Sequence, residues 1–124
     1  MYRDMYRIEK FINYLISETD NDNLKWHECE SNNFETNDLK TYYNYNLNVH
    51  SNSVIELSID NNYEEILNVR SDLDKLSEYI HDGLAQLKKS IFDNIKRQNT
   101  KRTFDMLRDN KREIDELLKV TVGC

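Results

Sequence analysis

The chain has 124 residues, a formal net charge of −6, and 38% hydrophobic against 32% charged residues. That length suits one domain, 1–124, with a real core, and argues against two. No apolar run approaches the roughly 20 residues of a membrane helix, and with Gly83 and Gly123 as the only glycines there is no glycine-rich phosphate loop.

The first segment, 1–17, reads as a helix. Met5, Ile8, Ile12 and Leu15 recur at spacings of three and four, with Arg3, Arg7 and Lys10 off the stripe. It carries acids and no cleavage site, so it is not expected to be a signal peptide. Ser17 to Asn23 breaks the pattern. Residues 24–30 read as a short strand with Trp26 at the core edge, and 31–39 as an exposed loop tethered by Phe34 and Leu39. From Thr41 to Asp60 the chain alternates: Tyr43, Tyr45, Leu47 and Val49 on one face, Asn44, Asn46, Asn48 and His50 on the other, then Ile55, Leu57 and Ile59 against Glu56, Ser58 and Asp60. A three-residue loop sets Val49 opposite Ile55, Leu47 opposite Leu57 and Tyr45 opposite Ile59. A two-residue loop mixes the faces, so the three-residue register is expected.

Asn61 or Asn62, followed by Glu64 and Glu65, reads as the capped start of a helix. Ile66, Val69, Leu73, Leu76, Ile80, Leu84, Leu87, Ile91 and Ile95 continue it, with a bend at Gly83. Gln98-Asn99-Thr100 is the expected break before a last helix bearing Phe104, Leu107, Ile114, Leu117 and Leu118. The alternative is one helix over 63–120, roughly 85 Å long, which needs a partner chain along its length. The expected fold is therefore α+β: an N-terminal helix, a three-stranded antiparallel meander and a long C-terminal helical hairpin (αβββαα), with 1–62 as helix plus sheet and 63–120 as the helical region.

Charge is segregated along this plan. In 18–38 seven acids, Asp20, Asp22, Glu28, Glu30, Glu35 and Asp38 among them, face Lys25 alone. Residues 56–82 are also acidic, with Glu56, Asp60, Glu64 and Glu65 at their head. Residues 88–112 reverse the sign through Lys88, Lys89, Lys96, Arg97, Lys101, Arg102, Arg108, Lys111 and Arg112. Three readings follow. Acidic surfaces can occupy a basic cleft, where carboxylates stand in for phosphates. The basic stretch, with Phe92 and Phe104 interleaved, can meet DNA or RNA phosphates. Or the helices pair with one another, within the chain or in a homodimer, as an oligomeric structural protein.

Catalytic chemistry finds little support. His27, Cys29, His50 and Cys124 match no common zinc spacing, so no metal or other cofactor is expected. The carboxylates lie in stretches that read as exposed and keep ordinary acidity. Cys29 and Cys124 form no disulfide framework and read as free thiols of a cytoplasmic protein. The Asn44, Asn46, Asn48 row is unusual in a strand, because asparagine is a poor strand former. With Tyr42 nearby, it presents donors and acceptors together as a recognition surface.

Abundant Asn, Lys, Ile and Tyr without proline point to an AT-rich coding sequence, as in low-GC bacteria and their phages. In layout and charge the chain resembles small phage-encoded inhibitors of host defence, of the anti-CRISPR type. That resemblance implies binding without turnover, in the host cytoplasm, to a protein that handles nucleic acid. The expected contact residues are Asp20, Asp22, Glu28, Glu30, Glu35, Asp38, Asn44, Asn46, Asn48, Glu56, Asp60, Glu64 and Glu65; Lys88, Lys89, Lys96, Arg97, Lys101 and Arg102 serve the nucleic-acid alternative.

Overall fold

The computed structural model describes residues 2–51, 54–73 and 75–122, and the side chains within them from residue 5 to residue 112. The elements run α1 (Tyr2–Asp20), β1 (His27–Glu30), β2 (Asn33–Asn37), β3 (Asn44–Val49), β4 (Ile55–Asp60), β5 (Glu65–Arg70) and α2 (Glu78–Val122). All five strands pair antiparallel in chain order. The α+β class is as expected, but the sheet has five strands rather than three, and one long helix replaces the helical hairpin.

The central hairpin takes the three-residue-loop register, with Val49 opposite Ile55, Leu47 opposite Leu57 and Tyr45 opposite Ile59. The inner face, with Phe34, Tyr45, Leu47, Ile55, Leu57, Ile59 and Val69, forms one core with Ile12 and Leu15 of α1 and Ile80, Leu84, Leu87 and Ile91 of α2. Fully burying each aliphatic side chain is worth about 1.5–3 kcal/mol. Gly83 lies where α1 crosses α2: a Cβ there would meet Ile12 Cγ2 at 3.0 Å. Close approach of the two helices is thus the reason for this glycine.

Two strands overturn the sequence expectation. The 31–39 stretch is not a loop: Asn33–Asn37 forms β2, with Phe34 and Thr36 buried. Thr36 tolerates the core because its hydroxyl donates to the Lys25 carbonyl at 2.7 Å. The helix expected from Asn61 does not start there either. Asn61 Oδ1 accepts from the amides of Tyr63 and Glu64 at 3.1 and 2.9 Å, while its own amide donates to Glu64 O. That is cap chemistry used to close a hairpin, with Asn62 left-handed at φ 76°. Residues 65–70 then cover the open edge of β4, and α2 begins later, where Ser77 Oγ accepts from the Ile80 amide.

The break expected at Gln98-Asn99-Thr100 is absent. Thr100 and Thr103 donate their hydroxyls to the carbonyls of Lys96 and Asn99, both at 2.9 Å, and the helix runs on. At 45 residues α2 spans about 67 Å. Ile114, Leu117 and Leu118, expected on a separate helix, lie on this same one, beyond the described side chains.

Of the three residues expected as the break, Gln98 instead joins a largely buried polar knot built on Asn94. Asn94, fully buried, accepts the Trp26 amide at 3.0 Å. It donates to the carbonyls of Thr19 and Leu24 at 3.1 and 2.9 Å. Gln98 donates to Trp26 O at 2.8 Å, and Trp26 donates its indole N–H to Thr19 at 2.9 Å. α2 thereby satisfies carbonyls at the end of α1 and in the following loop. α1 itself closes through Asn23 N to Glu18 O and Asp22 N to Thr19 O, with Asp22 at φ 59° in the place usually taken by glycine.

Candidate functional site

With both helices on the inner side, the outer face of the sheet is left to polar residues. One row across the strands is His27, Glu35, Asn46, Ser58 and Asn68; the next is Glu30, Asn33, Asn48, Glu56 and Arg70; a third is Asn37, Asn44, Asp60 and Glu65. All are half-buried or exposed, and none is apolar. Five strands at about 4.8 Å spacing make a plate about 19 Å wide.

These side chains bond to one another. Asn46 donates to Asn33 Oδ1 at 2.7 Å, and Asn68 to Ser58 and Glu56 at 2.8 and 3.0 Å. His50 and His27 lie against Glu56 and Glu35 at 2.9 and 3.0 Å. Asn44 donates to Asp60 at 2.9 Å and also to Asn62, tying the face to the β4–β5 loop. The bonded rotamers are thus held before any partner arrives, which lowers the ordering cost of binding. Five carboxylates, Glu30, Glu35, Glu56, Asp60 and Glu65, share the plate with one arginine, Arg70, which pairs with Asp72 at 3.0 Å. His50, then Asn68, hold the Glu56 carboxyl below its ordinary pKa, so it stays charged.

The β2–β3 and β4–β5 loops meet at one end of the plate. Leu39, Tyr42 and Tyr63 project there, 85%, 80% and 95% exposed. Tyr42 sits at φ 62°, a left-handed backbone that costs a residue of its size about 1–2 kcal/mol.

Of the expected contact residues, Glu30, Glu35, Asn44, Asn46, Asn48, Glu56, Asp60 and Glu65 share this face, and Glu64 lies in the adjoining loop. The rest of the acidic 18–38 segment is dispersed. Asp20 is exposed at the end of α1. Asp22 is clamped by Arg97 at 2.9 Å. Glu28 is opposite Phe34, so it points to the other side of the sheet, and accepts the Asn32 amide at 3.3 Å. Asp38 is 4% exposed and cannot meet a partner. It accepts the hydroxyls of Tyr14 and Tyr45 at 2.7 and 2.8 Å and the Lys40 amide at 2.9 Å. Burial opposes the charge on Asp38, but these hydrogen bonds outweigh it and hold its pKa below the usual carboxylate value. Burial first, then the Asp38 carboxylate, pushes both tyrosines up. The cluster fastens α1 to the β2–β3 loop.

Asn33, Asn68 and Arg70 were missed because β2 and β5 were missed; the alternation Asn33-Phe34-Glu35 was the available signal. Of the basic residues, Lys89, Lys96, Lys101 and Arg102 are exposed and Lys88 half-buried, while Arg97 is committed to Asp22. Among the described residues no three of His, Cys, Asp and Glu come together as a metal site. Cys29 is exposed, its thiol donating to Asn33 O at 3.3 Å, and Cys124 lies outside the described residues. No described helix is long and apolar enough to cross a membrane. Comparison with protein-family models, curated proteins and solved structures finds no match to this chain.

Proposed function

We propose that the chain is a non-enzymatic binding protein whose outer sheet face occupies a basic surface on a protein partner. The partner in this reading is a nucleic-acid-binding effector, such as a CRISPR nuclease, blocked as phage-encoded anti-CRISPR-type inhibitors block theirs. The observation that carries it is the polar plate with five carboxylates against one arginine; three of the carboxylates, Glu35, Glu56 and Asp60, are already bonded to neighbours on the face. Carboxylates held at strand spacing, with amides between them, present to Arg and Lys what a phosphate backbone presents: fixed acceptors in a negative field. The plate alone is small against the about 800 Å² per partner of an ordinary interface. Tyr42 and Tyr63 at its rim supply the aromatic anchors that such interfaces use as hot spots.

The test is charge reversal on the plate. Wild type and the triple variant Glu30→Lys, Glu35→Lys, Glu65→Lys are immobilised and exposed to a low-GC bacterial lysate. Wild type is expected to retain nucleic-acid-binding proteins that are released as salt rises; the variant is expected to retain at least about tenfold less at low salt. Equal capture by both chains, or capture indifferent to salt, overturns the reading.

A further inference from the structure

Past Gln98 the described large apolar side chains of α2 stand mostly in solvent: Phe104, Met106 and Leu107 are 71%, 64% and 61% exposed. The helix continues to Val122, about 36 Å past Gln98. A lone helix of this length is marginal in water, and the charges on it are not scattered. With Thr100 and Leu107 at position a of a heptad, Thr103 and Asn110 fall at d, Phe104 at e, and Asn99 and Met106 at g. Lys101, Arg102, Asp105, Arg108, Asp109 and Arg112 then all fall at b, c or f; Lys111 alone lies at e. The sequence keeps this phase, with Ile114 and Thr121 at a, Leu117 at d, and Asp115, Glu116 and Lys119 at b, c and f; Glu113 is the one charge at g. An a/d seam free of charge beside charged b, c and f positions is the signature of a helix that meets other helices. A shallow groove lined by Phe92, Ile95, Lys96, Asn99, Phe104 and Leu107 marks where this stripe meets the body, Lys96 being a charge at its edge.

We infer that this face is covered by the same segment of a second copy, in a parallel two-stranded coiled coil. The inference is independent of the sheet-face reading. Three observations select this occupant. From Asn99 to Val122 the segment carries six cations and five acids, of which only Lys111 and Glu113 fall at contact positions, so two in-register copies approach without like charges meeting. A partner chosen by its acidity would instead meet basic residues at e and g. Asn110 at d bears both a donor and an acceptor, so it satisfies its own counterpart across an in-register parallel interface. An antiparallel pairing sets it against an a residue. Finally, about 36 Å of helix-to-helix contact buries on the order of 1,200 Å² in total, which reaches the range of specific interfaces. Two copies joined this way carry two polar plates at one end of the coil, a bivalent arrangement.

Sedimentation equilibrium of the full chain at about 1–100 µM tests this. Wild type is expected to reach twice the 15.0 kDa chain mass. Leu107→Glu should fall to a single chain with the near-ultraviolet signal of Trp26 unchanged, which separates lost association from lost folding. Arg102→Glu, at an outward position, should keep the doubled mass. Asn110→Cys in a Cys29→Ser, Cys124→Ser background should cross-link between copies on oxidation. A wild-type mass of one chain across the range, or of three or four chains, overturns the proposal. So does dissociation of Arg102→Glu equal to that of Leu107→Glu, or a doubled-mass Asn110→Cys chain that does not cross-link.

Discussion

The two halves of α2 share one backbone and differ in everything around it. Over Glu78–Gln98, Ile80, Leu84, Leu87 and Ile91 are at most 1% exposed, and Asn94 after them is bonded to α1, its following loop and the Trp26 amide. Beyond Gln98 the described large apolar side chains, Phe104, Met106 and Leu107, stand mostly in solvent. Nothing in the helix itself marks the boundary: no proline or glycine intervenes, and the threonines bond back to the preceding turn. What changes is the company. Helix continuity is a local property, while the work a helix face does depends on which other element reaches it.

Three substitutions sharpen or break that contrast. Leu84→Ala, in the inner half, should have the largest effect: a cavity between the helices costing about 2–5 kcal/mol in denaturant unfolding followed through Trp26. Asn94→Ala should come next, at about 2–4 kcal/mol. It strands the Trp26 amide and the Leu24 carbonyl in a buried site, while the Thr19 carbonyl keeps the Asp22 amide and Arg97, and amide exchange at Trp26 should accelerate with it. Phe104→Ser should matter least, below about 0.5 kcal/mol, when unfolding is followed at a concentration dilute enough to hold single chains. A cost for Phe104→Ser comparable to that of Leu84→Ala would mean that the outer half packs against the body after all, and the contrast would fail.

The same contrast explains what could be read in advance. The β3–β4 hairpin was legible to the residue, because a period of two on both strands leaves one register that keeps the faces apart. β2 was hidden by composition: Phe34 is its one apolar residue, and the buried Thr36 looks like a loop residue until the Lys25 carbonyl is known to lie beside it. β5 was hidden by ambiguity. Ile66 and Val69 fit a helical stripe continuing into Leu73, and Asn61 with Glu64 fits a helix cap. The open edge of β4, on another part of the chain, decided the matter. The polar plate was therefore half visible: its β3 and β4 rows could be named, whereas Asn33, Asn68 and Arg70 joined only once their strands were placed.

By itself the sequence determined the α+β class, the first helix, the central hairpin and the opposite signs of its acidic and basic stretches. Each rests on periodicity or composition carried by near neighbours. Tertiary structure alone decided that five strands pair, that Asp38 is buried and Asp22 paired with Arg97, and that Gln98 ties the chain rather than interrupts it. The physical reason is that a buried carboxylate or amide is set by donors and acceptors 7 to 75 residues away. No local pattern announces where such a partner will arrive.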